Sequence, residues 1–240
     1  MAKQPHQAMN TDRPSPASQP TQTHSHPVQV WDLPTRLFHW LVVVLVAAAY
    51  ASEKLNWMDW HARIGEALLA LLVFRLLWGC FGSETSRFRS FVAGPGAALR
   101  HLRHVLRREP DLQVGHNPAG GWMVLLLLAL LLGETLSGLY VNSDVADDGP
   151  FTEWVPAWAA NAITALHSIL WYALLAAVAL HILAIAVYAV AKGHDLLRPM
   201  LTGRKQLPPR IAAPHMAPAM PAWLALLAGA AVAILLATYL

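Results

Sequence analysis

Residues 160–190 read ANAITALHSILWYALLAAVALHILAIAVYAV, a stretch without a single Asp, Glu, Lys or Arg. The hydrocarbon core of a bilayer needs about 20 apolar residues in a helix, so this run can span and still project beyond the lipid. Its polar landmarks are His167 and His181. In a helix they lie about 21 Å apart along the axis and within about 40° of one face. The run therefore presents two imidazoles on one stripe, one near each membrane surface. An ionisable group inside the membrane is costly and needs a partner, and that requirement directs attention to the rest of the chain.

Four further apolar runs lie at about 37–51, 60–81, 121–141 and 222–240. They are far too long for barrel strands, which leaves helices as the spanning elements. Ala49-Tyr50-Ala51 imitates a signal-peptidase site, but His39 and Trp40 inside the first run and the long segment before it favour retention in the membrane. Composition agrees: 56% of residues are hydrophobic, 13% are charged and the mean hydropathy is +0.40. A soluble domain carries about 25% charged residues, so a plain soluble globule is excluded, as is disorder for most of the chain. The expected fold is all-α, a polytopic membrane bundle of four helices with a fifth C-terminal transmembrane helix.

The net charge of +3 and pI near 9.2 do not indicate nucleic acid, because the charges sit between the apolar runs. Lys3, Arg13 and Arg36 precede or open the first run. Arg87, Arg89, Arg100, Arg103, Arg107 and Arg108 separate the second from the third. Lys192, Arg198, Arg204, Lys205 and Arg210 follow the fourth. The alternate side has Lys54 alone, with Asp144, Asp147, Asp148 and Glu153 in its second loop. An excess of Lys and Arg marks the cytoplasmic side, so the N-terminus and both basic connections are expected there.

His39 then lies near the cytoplasmic face and His61 near the outer face. His39 faces His181 on one level, and His61 faces His167 on the other. For one intramembrane histidine taken alone, the plain reading is a neutral ring bonded to a carbonyl or hydroxyl. Two facing imidazoles on each of two levels instead suit the axial ligands of two haems. Cys80 is the single cysteine, so no Cys-x-x-Cys-His attachment exists and each haem must be non-covalent, hence haem b. Arg75 follows His61 by fourteen positions on the same face. A buried arginine needs an anion, which a haem propionate supplies. Arg36 and Arg63 lie near the two levels and suit the same role, against the plainer reading of interfacial snorkelling.

Outside the runs, residues 1–29 read as a disordered polar tail containing His6, His24 and His26. Leu99, Leu102 and Leu106, with Arg100, Arg103, His104 and Arg107 opposite, predict a basic amphipathic helix on the headgroups, with His101 and His104 interfacial. Asn117-Pro118 is a helix-start signal, with Asn as cap and Pro in the first turn. His116 beside it has no evident partner.

Several stretches resemble the bacterial cytochrome b561 and nickel–iron hydrogenase cytochrome b family. They are Val30-Trp31-Asp32-Leu33-Pro34-Thr35-Arg36-Leu37-Phe38-His39-Trp40, Trp60-His61-Ala62-Arg63-Ile64-Gly65, Phe74-Arg75-Leu76-Leu77-Trp78-Gly79, His116-Asn117-Pro118-Ala119-Gly120-Gly121-Trp122, Leu166-His167, Leu180-His181 and Arg198-Pro199-Met200-Leu201-Thr202-Gly203-Arg204-Lys205. The resemblance covers residues 30–205, leaving the tail 1–29 and a linker with an extra helix at 206–240. It implies a four-helix inner-membrane bundle with b haems, whose ligand positions fall on His39, His61, His167 and His181. It also implies electron transfer between the quinone pool and a redox partner such as a cytochrome c or a dehydrogenase or hydrogenase subunit. Membrane lipid is the surrounding partner, and the chain is either an electron-transfer protein or the cytochrome b subunit of an oxidoreductase. Competing readings are a stand-alone quinone oxidoreductase using Glu66 or Glu134 for proton exchange, and a metal or proton transporter using the histidines as transient sites. A passive membrane anchor would not need four depth-matched histidines. Transporters often carry internal repeats and broken helices, and this sequence has neither.

Overall fold

The computed structural model describes residues 25–104, 107–142 and 148–238. Most of the expected tail, with His6 and His24, lies outside the described residues, as do Leu106, Asp144 and Asp147.

The chain begins with a short strand, β1 (His26–Gln29), and continues into α1 (Leu33–Lys54) and α2 (Met58–Phe81). Two small helices follow, α3 (Phe88–Phe91) and α4 (Pro95–Arg103), before the long α5 (Pro118–Gly138) and α6 (Ala157–Val187). A π-helical turn at Tyr188–Lys192 extends α6, and α7 (Leu197–Thr202), β2 (Arg204–Leu207) and α8 (Ala219–Ala237) complete the order. The α1, α2, α5 and α8 helices and the continuous α6 segment Ala157–Lys192 are each long and apolar enough to cross a membrane. The chain is a multi-pass membrane protein.

The helix ends follow from local chemistry. Asp32 caps α1 by accepting from the Thr35 amide at 2.8 Å, and Pro34 occupies the first turn. Asn117 caps α5 by accepting from the Gly120 amide at 2.8 Å, again with Pro next in sequence. Each cap satisfies an amide that a helix N-terminus leaves open. Leu99 and Leu102 on α4 are exposed, as the amphipathic reading requires.

α1 packs on α2, α5 on α6, and α2 on α5. Their shared core holds Leu72, Leu128, Leu131 and Leu174, with Phe38, Val42, Val46, Trp171 and Val178 against it. α8 packs along α2 on a separate seam that contains Phe74, Trp78 and Ala225. Gly229 makes that approach possible, since a Cβ there would meet the Ala70 carbonyl oxygen at 2.6 Å. Small residues allow such close contact between helices in lipid, where burial of apolar surface offers little drive.

The irregular tail expected through residue 29 needs one correction. β1 pairs antiparallel with β2, with His26 opposite Leu207 and Gln29 opposite Arg204. Val28, Val30, Trp31 and Leu207 bury their side chains together. The pair is non-local, so the composition of residues 26–29 alone could not announce it. The Gly203 carbonyl accepts from the Val30 and Trp31 amides at 2.8 and 3.1 Å. Gly203 itself has φ of 79° and closes α7. The Arg- and Lys-rich segments are thereby gathered on one face: Lys205 reaches Asp111 at 2.6 Å, and His194 donates to the Glu109 carbonyl at 2.7 Å. We refer to this as the basic face. The α1–α2 turn and the segment joining α5 to α6 form the opposite face.

Candidate haem site

Near the opposite face, His61 of α2 and His167 of α6 stand together, with ring centroids 6.4 Å apart and planes at 85°. Each ring is held by the same device from a neighbouring helix. His61 Nδ1 donates to the Ala49 carbonyl of α1 at 3.0 Å, and Ser52 Oγ, itself donating to that carbonyl at 2.9 Å, lies 3.5 Å from the same nitrogen. His167 Nδ1 lies 3.1 Å from the Glu134 carbonyl of α5 and 2.9 Å from Ser137 Oγ, which donates to that carbonyl at 3.0 Å. A carbonyl with a serine three residues later thus clamps each ring. An Nδ1–H held by a carbonyl fixes the tautomer and leaves Nε2 with its lone pair for a metal.

The Glu134 carboxylate stands beside this pair, with Oε1 3.5 Å from His167 Nε2. Its Oε2 is buried without a hydrogen-bond partner among the described residues, as is Glu66 Oε1 on α2. Arg63 is exposed, and its guanidinium is an electrostatic neighbour of Glu66.

At the basic face, His39 of α1 has His181 of α6 as its electrostatic neighbour. His39 packs edge-on to Trp40, with centroids 4.9 Å apart, and its Nδ1 is buried without a hydrogen-bond partner among the described residues. Arg75 of α2 is buried, and its Nη1 lacks a partner in the same sense. Its guanidinium carbon lies 5.0 Å from the centre of the Phe88 ring. Arg36 donates from Nη1 to the Leu201 carbonyl at 2.6 Å, while its Nε is buried and unpartnered among the described residues. Sequence reasoning placed Arg36 and Arg75 at this level, and the fold brings them to it.

A polar knot holds the basic end in place. Trp78 Nε1 donates to Asp32 Oδ2 at 3.0 Å, Ser86 Oγ donates to the same oxygen at 3.3 Å, and Thr85 Oγ1 donates to the Val30 carbonyl at 2.7 Å. Asp32 therefore ties the start of α1 to the end of α2, the two turns that carry Arg36 and Arg75.

Two histidines have surroundings that differ from the sequence reading, which made His101 interfacial and gave His116 no partner. His116 reaches the basic-level cluster from the loop before α5. Burial, then Arg75, His181 and His39, push its pKa down to about 3. The His-Asn-Pro signal marks a helix start and carries nothing to show that the ring turns inward. His101 lies 2.5 Å from the Tyr188 hydroxyl, which attaches α4 to the π-helical turn. Its pKa is lowered, first by burial and then by Lys192. Among the described residues, no group of three or more His, Cys, Asp and Glu side chains converges as a metal cage.

No curated protein and no solved structure matches the chain. The family model described as prokaryotic cytochrome b561 matches residues 30–203, from the β1 end through α7. That match takes in α1, α2, α5 and α6, three of which carry the four histidines, and the chain belongs to the prokaryotic cytochrome b561 family, membrane proteins that bind haem b and transfer electrons.

Proposed function

We propose that the chain binds two haems b, one level held by His61 and His167 and the other by His39 and His181. On this reading it carries electrons across the bacterial inner membrane between the quinone pool and a redox partner protein. A cytochrome c or a dehydrogenase or hydrogenase subunit is the class of partner. The basic face is cytoplasmic, which puts the N-terminus inside. Residues 206–240 form a linker and an added transmembrane helix outside the shared core.

The spacing of the His61 and His167 rings is the observation that carries this reading. Iron bound by two imidazole nitrogens at about 2 Å each separates the ring centroids by about 6 Å, and the observed separation is 6.4 Å. Both Nδ1 atoms are engaged with carbonyls, which leaves the Nε2 atoms as the donor set that a haem iron takes. The orphaned nitrogens of Arg36 and Arg75 suit propionates at the basic level, and Arg63, two residues after His61 and exposed, is offered for the same role near the other face. When bound, haem b supplies a one-electron iron couple. The chain's own residues fix the ring orientations, keep water out with the core around Leu72, Leu128, Leu131 and Leu174, and set the local charge.

The Glu134 carboxylate favours a second reading, a quinone oxidoreductase complete in itself. Its oxygen 3.5 Å from His167 Nε2 is placed to exchange a proton beside an electron carrier.

The test is haem stoichiometry and sidedness in purified full-length protein. Two acid-acetone-extractable haems per chain with low-spin bis-histidine spectra are expected, and saturation at one would overturn the two-level reading. A reporter fused after Arg210 should read as cytoplasmic and one fused at Asp148 as external.

A further inference from the structure

His116 is a buried imidazole that the two-haem reading leaves without a role. Its backbone is fixed by the Asn117 cap of α5, one residue on. Its ring is held between Trp31 and Phe91, each with a centroid 4.6 Å away at tilts of 59° and 51°. Phe91 stands edge-on to Phe88 at 5.8 Å, and Phe88 carries the Arg75 guanidinium. A continuous aromatic chain therefore joins His116 to Arg75.

Nδ1 of His116 is sealed from solvent and has no hydrogen-bond partner among the described residues. The same is true of Arg75 Nη1 and Arg36 Nε. These three nitrogens come from three separate segments: the loop before α5, the second half of α2 and the first turn of α1. The neighbouring acid, Asp32, is already engaged by the Thr35 amide, the Trp78 indole and the Ser86 hydroxyl. Arg75 is the electrostatic neighbour of His116, and Arg36 Nε and the Trp31 carbonyl both border Gly203, beside the Trp31 ring that packs on His116. Buried donors left unmade are expensive, so donors brought this close without an acceptor suit an anion. Burial and then the adjacent Arg75 oppose protonation of the His116 ring and favour its uncharged form. An uncharged ring stands beside the Arg75 guanidinium without repelling it, and its one N–H is available at the unpartnered Nδ1.

We propose that His116 Nδ1–H joins Arg36 and Arg75 in a three-donor carboxylate site that takes a propionate of the haem at the basic level. This rests on the two-haem reading. A carboxylate fits these donors because a planar two-oxygen anion accepts from several N–H groups at once.

The experiment uses full-length protein in detergent, with His116→Leu and His116→Gln compared with the parent chain. Haem is counted first in the parent. Three quantities are then read: the rate of haem release to an apoglobin acceptor, the propionate bending band in the resonance Raman spectrum, and the spin state. His116→Leu should release the basic-level haem about tenfold faster, the cost of one buried hydrogen bond. It should also shift the propionate band and stay low-spin. His116→Gln retains an amide donor and should restore most of the slow release. The haem at the opposite level should not respond. Unchanged release and band in His116→Leu would overturn the proposal, as would equal loss in both variants, which would reduce His116 to a packing residue. Conversion to high spin would overturn it by making His116 an axial ligand. A parent protein lacking the basic-level haem would instead refute the two-haem reading before any variant is made.

Discussion

The two histidine pairs sit in one bundle but are built by different means. Near the opposite face, neutral hydrogen bonds do the positioning: a carbonyl and a serine from α1 hold His61, and a carbonyl and a serine from α5 hold His167. The ionisable group beside that pair is an acid, Glu134. At the basic face, His39 Nδ1 has no such clamp among the described residues, and the surroundings are two arginines and a third imidazole. One level is thus fixed through its rings and the other through cations around it. A positive environment disfavours the oxidised iron, which carries one more positive charge, so it raises the reduction potential. A carboxylate does the reverse. On the proposed two-haem reading, the basic-level haem should accordingly be the higher-potential partner of the two.

Removing an axial ring gives the largest effect and tests the contrast directly. His61→Ala or His167→Ala should abolish binding at the opposite level and leave one haem per chain. His39→Ala should leave partial occupancy at the basic level, because the Arg36 and Arg75 donors still hold an anion there. Haem counting by pyridine haemochrome on each variant decides it. Complete loss in all three would mean that the cations do not anchor the basic level.

The next effect is a shift in potential. Arg75 is buried, with 3% of its surface exposed, so its charge is little screened by water. At an effective dielectric near 20, a unit charge about 10 Å from the iron contributes on the order of 1–2 kcal/mol. For a one-electron couple that is about 40–90 mV. Arg75→Leu should lower the basic-level potential by that amount, with partial neutralisation by a propionate reducing it. The other haem is about 20 Å farther along α2 and should move much less. A redox titration with levels assigned by the histidine variants is the measurement, and equal shifts in both haems would break the comparison.

Glu134→Gln should act in the opposite sense and more weakly. Replacing the carboxylate beside His167 removes negative charge, so the potential at that level should rise. Its side chain is 14% exposed, which lets solvent screen it more than Arg75, and a shift of about 20–40 mV is expected. A fall in potential would mean that Glu134 does not act as an anion toward this pair.

The spans, and the separation of His167 from His181 along one helix, were legible in the sequence because both depend on length alone. A run without charge must be buried in lipid, and fourteen positions in a helix set a distance and an azimuth whatever surrounds them. The Asn117 and Asp32 caps differ in this respect: the first was read from Asn-Pro, whereas the Asp32 knot needed the long-range partners Trp78 and Ser86. The pairing of β1 with β2 was not legible, since four residues gain their strand character only from a partner far along the chain. The same holds for the seat of α8 on α2, where Gly229 and Ala225 look like any small residues in an apolar run. His116 stayed hidden for a further reason. It lies in a loop, where neither helical period nor membrane depth fixes the direction of a side chain.

The serine clamp offers the smallest and most discriminating test. Both the Glu134 carbonyl and Ser137 Oγ lie within reach of His167 Nδ1, at 3.1 and 2.9 Å, but one N–H has one proton to give. A bond to Nδ1–H makes the imidazole a better donor to iron, which stabilises the oxidised state and lowers the potential. Ser137→Ala removes one acceptor and leaves the carbonyl, so the ring keeps a partner and its orientation. A neutral hydrogen bond contributes about 0.5–1.5 kcal/mol in total, and only the part that differs between oxidised and reduced iron reaches the potential. The potential should therefore rise by about 10–20 mV, well below the Arg75→Leu effect, with haem content unchanged. The equivalent Ser52→Ala change at His61 should be smaller still, because that hydroxyl is 3.5 Å from Nδ1 while the Ala49 carbonyl is at 3.0 Å. If Ser137→Ala instead lost the haem or shifted the potential as far as Arg75→Leu, the hydroxyl rather than the carbonyl would be holding the ring. The level near the opposite face would then depend on a single side chain, and its contrast with the charge-held basic level would have to be drawn again.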